Sequence, residues 1–286
     1  MTTPATTAAI DRRVDLAASP ERVWTALTDP AEIASWFTQR AEFALEVGAE
    51  GWMEWREHGR FAIRIEAVDR PRYFAWRGAR DPDTGVDDGP STLVEWWLEP
   101  LPGGGTSLRL RESGFEQPDE RRLNTMGWLH SFGALAAHIA TEPWQGGIRR
   151  TYRLPSPADA VWKALAEPAE LRAWWGGVGE LEVRPGFEGW FDWPSEGGRF
   201  AMRFDAVEPP AYIAWRWVPA LDVPLADASQ VLRTEWVVMP RDDGGTDLHL
   251  FESGFTGPDD HRLNDGGWDS DVIPALRRHL REPEAG

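Results

Sequence analysis

The 286-residue chain contains no cysteine, which excludes disulfides, thiol nucleophiles and cysteine metal sites. Lysine is nearly absent: Lys163 stands against 29 arginines, a coding bias more than a functional signal. Basic charge is short overall. The formal net charge is -17 and the isoelectric point about 4.8. That argues against nucleic acid and anionic membrane surfaces as partners, because both need a basic footprint; an acidic surface of this kind keeps a protein soluble. No run of about 18 apolar residues exists to span a bilayer, and the opening MTTPATTAAIDRR lacks the apolar core of a signal peptide. The expected location is the cytoplasm. The glycine-rich loops lack the P-loop lysine and its strand–helix context. The histidines have no metal-ligand spacing with one another or with carboxylates, so no metal and no cofactor is expected.

What the chain has in excess is tryptophan, 18 residues in all. A buried Trp removes roughly 200 Å² from water, an upper estimate of about 5 kcal/mol each. So many large rings imply thick cores, aromatic-lined cavities, or both. The length suits two ordinary domains, and the sequence is a tandem repeat. Residues 112–128, ESGFEQPDERRLNTMGW, recur at 252–268 as ESGFTGPDDHRLNDGGW, with 11 of 17 positions identical. Beyond this stretch Arg12-Arg13 matches Arg149-Arg150, Ser19-Pro20 matches Ser156-Pro157, and Val23-Trp24 matches Val161-Trp162. Trp36-Phe37 matches Trp174-Trp175, Gly51-Trp52 matches Gly189-Trp190, and Arg60-Phe61-Ala62 matches Arg199-Phe200-Ala201. The boundary falls in the Pro/Gly linker 141–147, giving expected domains at 1–143 and 148–286. So short a linker implies that the halves pack on each other, as a monomer.

Each half reads as a strand (10–17; 147–154), a helix opened by Ser-Pro with Ser19 or Ser156 as cap, and a second short helix ending at Trp36-Phe37 or Trp174-Trp175. Strands with period-two alternation follow, one face wet and one covered. A closing helix comes last, its apolar face carried by Trp128, Phe132, Leu135 and Ile139, or by Trp268, Val272, Leu276 and Leu280. Pro274 lies inside the second copy and predicts a kink costing about 3 kcal/mol if uncompensated.

This order, with Ser-Pro-x-x-Val-Trp near the start, the Trp-Phe/Trp-Trp element, Gly-Gly-Thr before the last strand and Gly-Trp on the closing helix, resembles the START-like (SRPBCC, Bet v 1-like) superfamily. Within it the chain looks most like the branch named after the activator of Hsp90 ATPase, homologue 1. The resemblance implies an α+β fold of two tandem helix-grip domains, each a curved antiparallel sheet around a long C-terminal helix with two short helices. It implies a ligand tunnel between sheet and helix. One similar sub-group is the self-sacrifice resistance and accessory proteins of enediyne producers, in which the protein backbone quenches a reactive drug and is cleaved.

Alternation places Trp55, Phe61, Ile63, Trp76, Trp96, Leu110, Trp128 and Phe132 on the tunnel wall of the first half. In the second it places Trp193, Phe200, Met202, Trp215, Trp236, Leu250 and Trp268 there. Each such residue also reads as ordinary core; as a set they suit a flat aromatic ligand. Glu112 and Glu252 lie at inward parity on the last strands. They read either as carboxyls of raised pKa able to act as acid or base, or as strand-end groups bonded to backbone or to Arg122 and Arg262. Asn124 and Asn264, one turn before the helix tryptophans, could orient a ligand or serve as caps. His130 is matched by Ser270, and His58, His138, His249, His261 and His279 look scattered and solvent-facing. Ser113 and Ser253 lack a repeated histidine, so a Ser–His pair has no support. No catalytic residue is assigned. Three functions follow: binding of a small hydrophobic molecule, aromatic or polyketide-like, in antibiotic biosynthesis or self-resistance; a cyclase- or hydrolase-type enzyme using Glu112 and Glu252; and a chaperone partner.

Overall fold

A computed structural model describes residues 9–102, 104–175, 181–193 and 197–281. The chain divides into two compact units, Met1–Glu142 and Pro143–Gly286. The first unit runs β1 (Ile10–Leu16), α1 (Pro20–Thr28), α2 (Pro30–Trp36), β2 (Arg40–Glu42), β3 (Glu50–Trp55), β4 (Gly59–Asp69), β5 (Tyr73–Ala79), β6 (Ser91–Pro100), β7 (Thr106–Ser113) and α3 (Pro118–Ile139). The second repeats it: β8 (Ile148–Leu154), α4 (Ala158–Ala166), α5 (Pro168–Trp175), β9 (Glu188–Trp193), β10 (Gly198–Glu208), β11 (Tyr212–Trp217), β12 (Leu232–Pro240), β13 (Thr246–Ser253) and a closing helix in pieces. Both sheets are antiparallel, ordered β1-β7-β6-β5-β4-β3-β2 and β8-β13-β12-β11-β10-β9. The position matching β2 in the second unit falls on residues outside the description. Each sheet carries the same register shift, at Ile65/Ala67 and at Phe204/Ala206.

Local chemistry explains the elements. Ser19 accepts the Arg22 N–H at 3.3 Å and Pro20 occupies the first turn of α1. Asp29 ends α1 and caps α2 by accepting the Ala31 N–H at 2.8 Å. In the second unit α4 starts one residue later than Ser-Pro predicts, with Pro157 preceding the helix. Strand β6 alternates strictly, burying Thr92, Val94, Trp96 and Leu98. Gly114 and Gly254, in the repeated ESGF, have φ of +103° and +98°, and a Cβ at Gly114 would lie 2.7 Å from the Ser91 carbonyl oxygen. Only glycine turns the chain out of the sheet at this close approach.

Two sequence expectations are corrected, and the kink expected at Pro274 is given its form. Strand pairing sets Arg12 opposite Leu110 and Arg150 opposite Leu250, so Arg12 corresponds to Arg150; the match of Arg12-Arg13 to Arg149-Arg150 is one residue out. The outer face of the second sheet is not wet at its centre: Tyr212, Ala214, Glu235, Val237 and Phe251 are all buried. Its charges are paired, Tyr212 donating to Glu235 and Arg233 bridging Glu235 (3.0 Å) and Asp205, which offsets their desolvation. Finally, α3 is one 22-residue helix, but its counterpart is broken into α6 (Pro258–Gly267), a π-turn (Trp268–Val272) and α7 (Ile273–His279). The Ile273 N–H bonds back to the Trp268 carbonyl, and Pro274 then sits in the first turn of α7, where its missing donor costs little. The break compensates the proline.

Candidate functional site

The inner face of each sheet and its closing helix enclose an aromatic cluster. In the first half Phe37, just past α2, is its hub. Its ring stacks on Trp128 (5.1 Å, 7°) and meets Trp55 edge-on (5.3 Å) and Trp76 at 6.5 Å. Trp55 also donates its indole N–H to the Phe37 carbonyl at 3.0 Å, pinning that end of α2. Trp96 meets Trp128 and Phe132 edge-on at 5.4 and 6.0 Å. In the second half Trp175 takes the hub position, with Phe191 at 4.8 Å, Trp215 at 5.6 Å, Trp268 at 6.5 Å and Trp174 stacked at 5.4 Å. Trp236 meets Trp268 edge-on at 5.3 Å.

Each cluster abuts a buried carboxyl. Glu112 on β7 is 3% exposed and Glu252 on β13 is 0% exposed. They stand opposite Val94 and Thr234 in register. The helix tryptophan of the repeated stretch reaches each one: Trp128 donates to Glu112 Oε2 at 2.6 Å, Trp268 to Glu252 Oε2 at 2.8 Å. The conserved spacing of the repeat from Glu to Trp is therefore a hydrogen bond between sheet and helix.

The second carboxylate oxygen is served differently in the two halves. Asn124 donates to Glu112 Oε1 at 3.0 Å, Thr92 also bonds the carboxyl, and the Arg80 charge lies near enough to act on it. Glu252 Oε1 instead accepts from Thr234 Oγ1 at 2.8 Å and from the Trp217 indole at 3.2 Å. Asn264 turns away and donates to the Asp260 carbonyl at 2.9 Å, a helix back-bond rather than a contact with the site. The cause is a steric exchange. Trp217 and Gly78 hold the same register position, opposite Met202 and Ile63. A Cβ at Gly78 would lie 2.7 Å from the Trp76 ring, so the first half has no side chain there and Asn124 takes the bond. Arg122 and Arg262 do not reach the carboxyls; they pair with Asp119 and Asp259 on their own helices.

Burial pushes both carboxyls above the ordinary glutamate range. For Glu112 the bonds from Trp128, Thr92 and Asn124 and the Arg80 charge oppose the rise. For Glu252 burial dominates, opposed only by the bonds from Trp268, Thr234 and Trp217, and the pKa is raised to about 7. A carboxyl poised there can hold or give up a proton near neutrality, as a hydrogen-bond donor to a ligand or as a general acid or base.

The family described as activator of Hsp90 ATPase homolog 1-like protein matches residues 17–140 and again 155–280. The chain belongs to this family, twice over. No curated protein matches the sequence. Among solved structures, DynU16, described as a putative protein in the dynemicin biosynthetic locus, is 19% identical with a TM-score of 0.41, covering 95% of this chain and 97% of its own. The di-domain ARO/CYC BexL from the BE-7585A biosynthetic pathway is 13% identical (TM-score 0.41), covering 97% and 100%. The Aha1 dimer subunit from Colwellia psychrerythraea is 20% identical (TM-score 0.41), covering 47% of this chain and 98% of its own. The chain is thus a tandem helix-grip protein of the Aha1-like branch.

The residues assigned to the wall from the sequence divide by burial. Ile63, Trp76, Trp96, Leu110, Trp128, Phe132, Met202, Trp215, Trp236, Leu250 and Trp268 are buried; Trp55, Phe61 and Phe200 are half-buried at the rim. The side chain of Trp193 lies outside the described residues. These rings touch one another, through Phe37 and Trp175, neither of which was among the sequence candidates. Periodicity could not find them, because Phe37 follows α2 and Trp175 is the last residue of α5, where a short helix no longer marks a face.

Two other repeated features also escaped. His138 and His279 are not solvent-facing strays: His138 Nε2 lies 3.0 Å from Glu32, and His279 Nε2 lies 2.6 Å from Glu170. Each ties the end of the closing helix to the short helix that carries the aromatic hub. Glu32, also bonded to Arg22 at 2.5 Å, is held below the usual carboxylate range by these partners despite burial. On the outer faces Arg60 stacks over Trp52 at 3.9 Å and Arg199 over Trp190 at 4.2 Å. They line surface grooves of about 520 and 630 Å³. Among the described residues no group of three or more His, Asp or Glu could hold a metal, and no helix is long and apolar enough to cross a membrane.

Proposed function

We propose that this chain binds a small hydrophobic, aromatic or polyketide-like molecule between sheet and closing helix, in the biosynthesis of an enediyne-type antibiotic or in self-resistance to it. The observation that carries the reading is the cluster of aromatic rings converging, in both halves, on a buried carboxyl held by the indole of the closing helix. A flat ring system fits such walls, with one polar group to fix its orientation. The hub residue is the part that yields. Phe37 and Trp175 sit at helix ends, so a shift of α2 or α5 uncovers the faces of Trp128 or Trp268 without unfolding the sheet.

A second reading, a cyclase-type enzyme, is favoured by one feature: Glu252 titrates near neutrality, as a general acid or base should. Native mass spectrometry of the full chain with candidate polyketides and enediynes separates the readings. A stoichiometric, unmodified complex that quenches tryptophan fluorescence supports binding. A mass change in the ligand that disappears in Glu252→Gln supports catalysis. No complex with any aromatic molecule would sink both. Stimulation of an Hsp90 ATPase would place the chain with chaperone partners instead.

A further inference from the structure

The two halves are built alike but are not chemically equivalent, and the differences gather in the second. Glu252 is wholly buried, and Trp268, Trp217 and Thr234 all donate to it. Among the described residues no cation acts on it. Arg150 of β8 is engaged by Asp265 and Asp269 on the closing helix. His261 at the start of α6 packs on Phe255, and Asp260 accepts from Gln230 and from backbone N–H groups. In the first half, by contrast, Arg80 acts on Glu112.

One residue further along the same face, the indole N–H of Trp236 is buried and has no acceptor among the described residues. Buried donors are nearly always satisfied, because one left open carries the cost of its lost hydration. Trp236 and Thr234 are alternate residues of β12, paired with Leu250 and Glu252 of β13, so the open indole and the carboxyl share one face of adjacent strands. Both abut Trp268, Trp236 through its ring and Glu252 through a hydrogen bond. The π-turn begins at Trp268 itself; such turns often occur at functional sites.

Resting on the binding function proposed above, we infer that the second half is the recognition half, and that protonated Glu252 and the Trp236 indole donate hydrogen bonds to an aromatic molecule carrying a ring carbonyl. The ligand class is a neutral polycyclic ketone or quinone. Its ring takes the place beside Trp268 that Trp175 holds in the structure. Its oxygen supplies the acceptor that the Trp236 N–H lacks. No bond is made or broken.

Neutral probes test this without titrating themselves: 9-fluorenone, and fluorene, which has the same ring system and no carbonyl. Binding to the full chain is read by tryptophan quenching and calorimetry from pH 6 to pH 8. Fluorenone should bind more tightly than fluorene, and its affinity should fall about tenfold across that range as Glu252, with a pKa of about 7, loses its proton. Glu252→Gln keeps a donor, so it should still bind fluorenone but with no pH dependence. Trp236→Phe keeps an aromatic ring of smaller area and loses the donor, so it should weaken fluorenone several-fold more than it weakens fluorene. Equal binding of the two probes, or a pH step that survives in Glu252→Gln, would overturn the inference while leaving aromatic binding intact. If neither probe nor any other aromatic binds, the proposed function fails and the inference falls with it.

Discussion

Replacing Glu252 by glutamine should flatten the pH dependence of stability, and the structure sets the size of the effect. The folded-state pKa is raised from 4.5 to about 7 by burial. The native state therefore keeps a proton that the unfolded chain releases. The resulting stabilisation is full below about pH 4.5 and is lost as pH rises through about 7. At about 1.4 kcal/mol per pKa unit, this group alone should cost the native state about 2.5 kcal/mol between pH 5 and pH 8. Glutamine fits the site: its oxygen can accept from Trp268, its amide can donate to Thr234 Oγ1, and Trp217, already 3.2 Å from that hydroxyl, can donate to it. The assay is urea denaturation of wild type and variant at pH 5, 6, 7 and 8, followed by tryptophan fluorescence and compared as a difference, so that the other carboxylates cancel. The stability advantage of wild type over variant should shrink by about 2.5 kcal/mol across the range. Parallel pH profiles would show that Glu252 is ionised in the native state throughout and would refute the reasoning.

Other consequences can be measured alongside. Phe37→Ala removes the ring stacked on Trp128 and should cost about 3 kcal/mol, the low end for a phenylalanine in a packed cluster because Phe37 is only half-buried; thermal or urea unfolding reads it. His138→Ala and His279→Ala each break a tie between the closing helix and a short helix, and should cost about 1 kcal/mol or less, with faster amide exchange confined to α2 or α5. Pro274→Ala should change stability by less than about 1 kcal/mol, because the π-turn already accommodates the proline; a gain near 3 kcal/mol on denaturation would show that the helix is strained.

The fold was legible because its signals are long and duplicated. Period-two alternation, the Ser-Pro helix starts and the spacing of Trp128, Phe132, Leu135 and Ile139 each appear twice, and the inward parity of Glu112 and Glu252 followed from Leu110 and Leu250. The site was legible only in part. Phe37 and Trp175 act through their position at the C-terminal end of a short helix, where no period marks a face. The exchange of Gly78 for Trp217, which redirects Asn124 and Asn264 to different partners, depends on a register that β-strand patterning leaves open by one residue, the same slip that misaligned Arg12 and Arg150. His138 and His279 are equivalent only once the two closing helices are superposed, across an interruption that the sequence marks with Pro274 but does not measure. Pairing of charges buried on the second sheet's outer face likewise has no local signature, since Arg233, Asp205 and Tyr212 come from three strands.

The central claim, that an aromatic molecule binds between the sheet and the closing helix, is tested most directly by the indole N–H resonances of the full chain, assigned by Trp→Phe substitution, on addition of a neutral polycyclic ketone. The account predicts that Trp236 and Trp268 shift, saturably and together, while Trp52 and Trp190 on the outer grooves stay fixed. Shifts confined to Trp52 and Trp190, or none at all, would contradict it.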